Sequence, residues 1–386
     1  MNFKPLIKDL IRIWVFGRGL FQGILLGDWI WLLIVNRFIM GWFYLSGFFL
    51  ITLGAGINSI LHYVEVICFG LSIKKTKHAP PIFILGGWRS GTTHLLNLLS
   101  VDQRFGYPNY VQTNNPYTFL TIENIYSKIV DKVKYINRGI DNVAMGSKVP
   151  EEDEYALLAL TCKSPLLRIP FHSRASFYSR FYTFRQASAS EVASWKKGLL
   201  FFVKKLTYRY SGRPIILKSP AHTGRIRMIL DIFPDAKFVF IHRDPFEIFL
   251  SFKMMLQKLN TMFGLTTDPD QIVTDQTVAT YKELFDAFFE EKDLIPKQNY
   301  HEVSYKNLVK NPLGEMRGIY EKLRFPEFAD FEPSLKSYLS SISDYRNNDL
   351  RELPPGIEDR LANEWQRYFT EWGYPMNRNN QRENKQ

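Results

Sequence analysis

PPIFILGGWRSGTTHLLNLLSV, residues 80–101, is the stretch from which the fold can be read. Two prolines punctuate its start. Ile82, Phe83, Ile84 and Leu85 then form the continuous apolar run of a parallel strand covered on both faces. Gly86 and Gly87 permit a sharp turn with close backbone approach. Thr92 and Thr93 open a helix whose apolar residues recur through Leu95, Leu96, Leu98 and Leu99. A glycine turn feeding a helix N-terminus offers unpaired N–H groups and the positive end of the helix dipole, so it suits a phosphate or a sulfate. The ATP-binding pattern GxxxxGK[ST] is only half kept. Gly86 and Gly91 hold the glycine spacing, Thr92 stands where the lysine belongs, and the cation comes earlier, as Arg89.

Two more strand–turn–helix units follow. Residues 214–217 form an apolar strand that leads into Lys218, Ser219, Pro220, Ala221 and His222, then a helix through Ile226, Met228, Ile229, Ile232 and Phe233, ended by Pro234 and Asp235. Residues 238–241 lead into His242, Arg243, Asp244 and Pro245, then a helix with Ile248, Phe249, Ser251 and Met254. Strands alternating with helices predict an α/β fold: a central parallel sheet flanked by helices in a P-loop-type three-layer arrangement. Such sheets bind ligands just past their strand ends. Further helices are expected over 116–133 and 355–374, and an apolar helix after the acidic run Glu151, Glu152, Asp153 and Glu154. That run is either dipole-complementing acid at a helix start or the source of a carboxylate that orients or deprotonates an acceptor. Residues 165–213 are aromatic and basic, and are either core or the lining of an acceptor pocket.

The chain has 386 residues, 46% of them apolar and 15% aromatic, with a net charge of +11. That balance implies an anionic partner: a nucleotide, a nucleic acid or an acidic membrane surface. Two cysteines, Cys68 and Cys162, make no disulfide framework and favour a reducing compartment.

Residues 1–79 form a separate hydrophobic helical region ahead of a catalytic domain at 80–376 and a polar tail at 377–386. The first 18 residues are basic and amphipathic, and 39–60 runs without a formal charge. Three readings stand side by side: a transmembrane helix or hairpin, a hairpin lying in the membrane interface, and a helical layer buried on the catalytic domain. Basic residues at both ends (Lys8, Arg12 and Arg18 before, Lys74, Lys75 and Lys77 after) would keep both ends cytoplasmic. The expected location is the cytoplasm, at the cytoplasmic face of a membrane.

Gly86–Leu95, GGWRSGTTHL, resembles the 5′-phosphosulfate loop of sulfotransferases that use 3′-phosphoadenosine 5′-phosphosulfate (PAPS). His242–Phe252, HRDPFEIFLSF, is similar to that family's 3′-phosphate motif, in which an arginine and a later serine hold the phosphate. Val303–Pro312, VSYKNLVKNP, resembles the segment whose tyrosine contacts adenine. Leu217–Ile226, LKSPAHTGRI, resembles the strand end that brings a lysine or histidine to the reaction centre. The four occur in the family's order over roughly 80–325, and the branch resembled is the one with arginine in the loop.

The resemblance implies a PAPS-dependent sulfotransferase that needs no metal and has no nucleic-acid partner. It implies donor contacts from Arg89, Ser90, Gly91, Thr92, Thr93, Arg243, Ser251 and Tyr305. The chemistry agrees: backbone N–H groups at Gly91–Thr93 can hold non-bridging oxygens, and two arginines can present planar forks to phosphates. Catalysis falls to His222 as base, Lys218 and Arg89 as stabilisers of developing charge, and Glu152 as the runner-up base. Some branches place a glutamate soon after the first helix, but 105–115 holds no acid. The C-terminal RKGxxG signature is also missing, so a lid at Tyr345 and Arg346 has no motif behind it. The aromatic content and hydrophobic N-terminus point to a lipophilic acceptor such as a sterol or other lipid alcohol, with a carbohydrate next. A P-loop nucleotide kinase is the competing class.

Overall fold

A computed structural model describes residues 18–132, 146–262, 270–342, 353–354 and 356–377. The main elements are α1 (Leu26–Val35), α2 (Phe48–Lys75), β1 (Ile82–Leu85), α3 (Thr92–Ser100), α4 (Phe119–Lys132), α5 (Glu154–Thr161), α6 (Ala189–Arg209), β2 (Ile216–Lys218), β3 (Lys237–His242), α7 (Pro245–Met262), α8 (Asp270–Glu291), β4 (Tyr300–Ser304), α9 (Tyr305–Lys310), α10 (Pro312–Lys322), α11 (Phe328–Ser341), α12 (Ile357–Glu364) and α13 (Gln366–Glu371). They fall into two compact units. One holds residues 1–81, 104–218 and 258–266, and the other holds 82–103, 219–257 and 267–386.

The second unit carries the parallel pairing that the apolar runs predict. β3 pairs with β1 on one side, Ile82 opposite Lys237 and Leu85 opposite Phe240. It pairs with β4 on the other, Phe238 opposite Tyr300 and His242 opposite Ser304. Every residue of β1 is buried, as is Phe238–Ile241 of β3. Phe240 stacks on Phe288 of α8 with ring centroids 4.2 Å apart, and Phe83 stacks on Phe238 at 5.7 Å. β4 falls in a stretch not expected to be a strand. Only Val303 of its residues is fully buried, so it lacks the apolar run that marks β1 and β3. The single helix expected over 355–374 is two, broken at Trp365, whose indole N–H donates to the carbonyl of Val278 in α8 at 3.1 Å. The turn after β2 is first a 3₁₀ turn, Pro220–Gly224, because Pro220 sits at its first position and Ser219 caps it.

In the first unit, α1 and α2 are tied to each other and to the segment before them. The Trp29 indole donates to Thr52 Oγ1 at 3.0 Å, Leu26 N to Ser59 Oγ at 2.9 Å, and Asn58 Nδ2 to the carbonyls of Gln22 and Ile24. The buried residues of α2 (Ile51, Gly54, Ala55, Asn58, Glu65 and Ile73) follow one helical stripe. Glu65 forms a buried ion pair with Lys205 of α6. Its carboxylate also accepts from the Thr121 N–H and hydroxyl, and Lys205 Nζ donates to the Pro116 carbonyl at 2.6 Å. Burial pulls Lys205 down to about 8 against the opposing pull of Glu65. The aromatic segment 165–213 is largely core. Phe171, Tyr178, Phe181, Phe184 and Trp195 are buried in contact with one another, while Arg180 and Arg174 lie over Phe177 at 4.0 and 4.4 Å.

α2 is long and apolar enough to cross a membrane by length and composition. It also carries a wholly different second face: Phe49 is 83% exposed and Ile67 84%, with Ile60, Tyr63 and Leu71 beside them.

Removing one partner of a buried ion pair strands a charge. Glu65→Ala should therefore lower unfolding free energy by about 3–5 kcal/mol in denaturant titration, whereas Glu65→Leu with Lys205→Met should recover most of that loss. Equal destabilisation by the single and double variants would show that packing, not charge, holds α2.

Candidate active site

The turn between β1 and α3 is shaped by backbone positions that few side chains accept. Gly86 has φ 141°, and a Cβ there would sit 2.6 Å from the Ile241 carbonyl oxygen. Gly91 has φ 106°, and a Cβ there would collide with the Tyr305 ring. Arg89 itself adopts φ 68°, a left-handed conformation that non-glycine residues keep only where the surroundings enforce it. Gly91 occupies the N-cap of α3 and has no side chain to cap it, which suits the start of the helix to an anion.

The surroundings of the loop are specific. Thr223 Oγ1 accepts from the Gly86 N–H at 2.8 Å, and its hydroxyl reaches the Gly86 carbonyl at 3.2 Å. Ser90 Oγ donates to the Gly87 carbonyl at 2.8 Å, so this hydroxyl fixes the turn from within. Tyr281 of α8 is fully buried and donates its hydroxyl to the Trp88 carbonyl. Burial drives the Tyr281 phenol far above its ordinary range, against the pull of Arg89 and Arg243, so it remains a donor. Trp88 stacks on Phe252 at 5.6 Å.

Residues far apart in sequence meet here. Arg89 Nε donates to Ser251 Oγ at 2.9 Å. Arg243 Nη1 donates to the Arg89 carbonyl at 3.2 Å, and its guanidinium lies 4.6 Å from the centroid of Tyr305. Arg243 Nε pairs with Glu247 one helical turn on, at 2.8 Å. The backbone of Arg243 is gripped from α13, where the Tyr368 hydroxyl accepts from its N–H at 3.1 Å and donates to its carbonyl at 2.9 Å. Gly91, Arg89, Ser251, Arg243 and Tyr305 thus form one linked cluster, with Thr92 and Thr93 opening the helix beside it. Two guanidinium groups in one corner, beside a helix N-terminus, have the chemistry to hold an anion.

His222 lies on the 3₁₀ turn that also supplies Thr223. Its ring is fully buried and meets Phe83 of β1 edge-on at 5.4 Å. In the first unit Lys218, at the end of β2, pairs with Glu152 at 2.6 Å. The lysine side chain is 1% exposed and the glutamate 18%. Two residues picked separately from the sequence are therefore direct partners. Tyr345 and Arg346 lie outside the described residues.

The sulfotransferase family profile matches residues 80–330, a span that contains the glycine turn, Lys218, His222, Arg243, Ser251 and Tyr305. The chain belongs to the sulfotransferase family. It is 32% identical over 349 residues to omega-hydroxy-beta-dihydromenaquinone-9 sulfotransferase Stf3 of Mycobacterium bovis, and equally to the protein of that name from Mycobacterium tuberculosis. That match covers 90% of this chain and 89% of the relative. The crystal structure of sulfotransferase STF9 from Mycobacterium avium superposes with a TM-score of 0.62 at 18% identity, covering 81% of both chains. STF1 from Mycobacterium tuberculosis gives 0.54 at 16%, covering 74% of this chain and 81% of its own. These structures share the α/β fold. Family membership sets aside the kinase reading, in keeping with Thr92 at the Walker lysine position.

Sequence reasoning about this sulfotransferase missed the residues that hold the loop from behind: Thr223, Tyr281, Glu247 and Tyr368. Glu247 had a signal, its spacing of four from Arg243 on a helix. Thr223 had a weaker one, as neighbour to His222. Tyr281 and Tyr368 had none, because each lies within an apolar helical face and its hydroxyl is aimed by tertiary packing.

The Tyr281 hydroxyl is buried and donates to the Trp88 carbonyl, and a phenylalanine there would lose that hydrogen bond. Tyr281→Phe should cost about 1–3 kcal/mol of stability by denaturant titration. His242 supplies a pH test. Its Nδ1 meets the Tyr374 hydroxyl at 2.8 Å, its ring stacks on Trp372, and burial lowers its pKa from 6.5 to about 4. Between those values the unfolded chain binds a proton that the folded protein refuses, so stability falls as pH drops through that window and is fully present above it. A His242→Gln variant should flatten the dependence of Tm on pH between 6.5 and 4. An unchanged slope would mean other groups set it.

Proposed function

We propose that this sulfotransferase moves the sulfuryl group of PAPS to the hydroxyl of a lipophilic acceptor, giving a sulfate ester and 3′,5′-adenosine bisphosphate. The linked cluster of Arg89, Ser251, Arg243 and Tyr305 carries the donor reading, because a nucleotide with phosphates at both its 5′ and 3′ ends needs two anion sites at one loop. The N–H groups at the start of α3, with the hydroxyls of Thr92 and Thr93, would hold the 5′-phosphosulfate. Arg243 and Ser251 would hold the 3′-phosphate, and Tyr305, already faced by the Arg243 guanidinium, would contact the adenine. The acceptor reading rests on the relative that shares 90% of the chain and whose name specifies a menaquinone-derived lipid.

In the reaction the acceptor oxygen forms a bond to sulfur as the bond from sulfur to the donor's phosphate oxygen breaks. The departing phosphate takes the negative charge, which a guanidinium such as that of Arg89 is suited to stabilise. The acceptor proton must leave as its oxygen bonds. His222 and Glu152 are the two residues proposed to receive it, and they differ in kind: an enclosed imidazole and a partly open carboxylate already paired with Lys218. On the interfacial reading of the N-terminal helices, with their basic ends kept cytoplasmic, the enzyme would work at the cytoplasmic face of a membrane beside a lipid acceptor.

The test is transfer of labelled sulfate from PAPS to separate lipid and glycan extracts. Label should enter the lipid fraction. Label in glycans alone would replace the acceptor, and no transfer to either would overturn the reading. Arg243→Ala and Ser251→Ala should raise the KM for PAPS, by about tenfold or more for the arginine, given ~1.5–3 kcal/mol for a hydrogen bond to a charged group. The base is identified by whichever of His222→Asn and Glu152→Gln lowers kcat by about 100-fold or more and abolishes the acidic limb of the pH–rate profile.

A further inference from the structure

A cavity of about 270 Å³ opens in the first unit between α2 and α6, lined by residues outside the donor-site motifs. Val66 and Ile73 of α2 and Leu200 and Phe201 of α6 give it apolar walls. Lys74, Lys197 and Lys204 also line it, with Lys74 and Lys197 solvent-exposed and Lys204 half-buried. Its acid, Glu65, is already paired with Lys205 and hydrogen-bonded by Thr121, so the lining charge that remains for a ligand is positive. Gly70 widens the slot. A Cβ there would meet only Val66, at 3.5 Å.

The outer face of α2 gives this cavity a context. Ile60, Tyr63, Ile67 and Leu71 are all strongly exposed on the same helix that supplies one wall. An apolar face of that extent is of the kind that marks an interaction surface, and Lys74 and Lys75 at its end are the charge that an anionic bilayer attracts. The inner stripe of α2 is held by Asn58 and Glu65 on the protein, so the helix is not free to leave α6 and cross the bilayer alone.

The geometry points to a glycerophospholipid site: an anionic lipid drawn from the bilayer, its acyl chain between Val66, Ile73, Leu200 and Phe201 and its phosphate among Lys74, Lys197 and Lys204. Such a site would fix how the enzyme sits on the membrane. The inference rests on the interfacial reading of the N-terminal helices, and it stands apart from the chemistry, since none of these residues belongs to the donor site.

Flotation of the full chain with vesicles of phosphatidylcholine, with and without phosphatidylglycerol, tests it. Binding should need phosphatidylglycerol, and Lys197→Glu with Lys204→Glu should weaken it by about tenfold or more, from ~1 kcal/mol per basic residue near an anionic surface. Gly70→Leu should fill the slot while strengthening the helix, so its failure to bind cannot be laid to misfolding. In native mass spectrometry the wild type should retain one short-chain phosphatidylglycerol and Gly70→Leu none. Equal binding to phosphatidylcholine alone, vesicle binding unaffected by these variants, or retention of inorganic phosphate as firmly as lipid would each overturn the proposal. Sulfate transfer to a detergent-dispersed acceptor should be unchanged in all variants. Its loss in the wild type would count against the catalytic reading and leave the lipid site intact.

Discussion

The hydrogen bond from Arg89 to Ser251, with Arg243 donating to the carbonyl of Arg89, is the constraint on which the site depends. It holds the glycine turn after β1 to the turn and helix after β3. Arg89 reaches Ser251 from a left-handed backbone conformation that costs on the order of 1 kcal/mol, so the loop must be held by other contacts to persist. Those contacts are the Thr223 hydroxyl on Gly86, Ser90 on Gly87 and Tyr281 on Trp88. Thr223 and Tyr281 hold the loop from outside it, and Ser90 from within.

Two arginines so placed repel one another, and Glu247 pairs with Arg243. A corner of that charge suits an anion. Buried phenols at Tyr281 and Tyr368 add rigid donors without adding charge, and this keeps the positive potential of the corner intact. The same economy explains why the lysine of ATP-binding loops is dispensable here: Arg89 and Arg243 bring the cations from the loop itself and from the next strand end.

Much of this was legible in the sequence, for a physical reason. The runs at 82–85 and 238–241 are buried on both faces, so they must be apolar throughout, and the turns after them must be polar or glycine. Both constraints are local and leave a mark in the chain. β4 left no such mark, because most of its residues are only half-buried. The break at Trp365 was hidden because an indole reaching the Val278 carbonyl looks, in sequence, like one more aromatic at helical spacing. Lys218 and Glu152 could each be picked out from their neighbourhoods, but their pairing across 66 positions is a property of the fold. Tyr281 and Tyr368 belong to the same class of fact.

The N-terminal helices show the limit of reading composition alone. A charge-free run at 39–60 leaves a membrane span, an interfacial hairpin and a buried layer all open; the helix there runs from Phe48 to Lys75, is long and apolar enough to cross a membrane, and carries Glu65 in its buried stripe. A carboxylate there is costly unless paired, and its partner, Lys205, belongs to α6. Pairing commits one face of α2 to the protein along most of its length. The opposite face, relieved of any packing partner among the described residues, keeps an apolar surface that water does not favour. One helix thus carries two faces with different demands. Its inner stripe selects polar anchors that fix position, and its outer stripe selects aromatic and aliphatic side chains that need no fixed partner. That division of labour packs one face of α2 against α6 and leaves the other apolar and exposed.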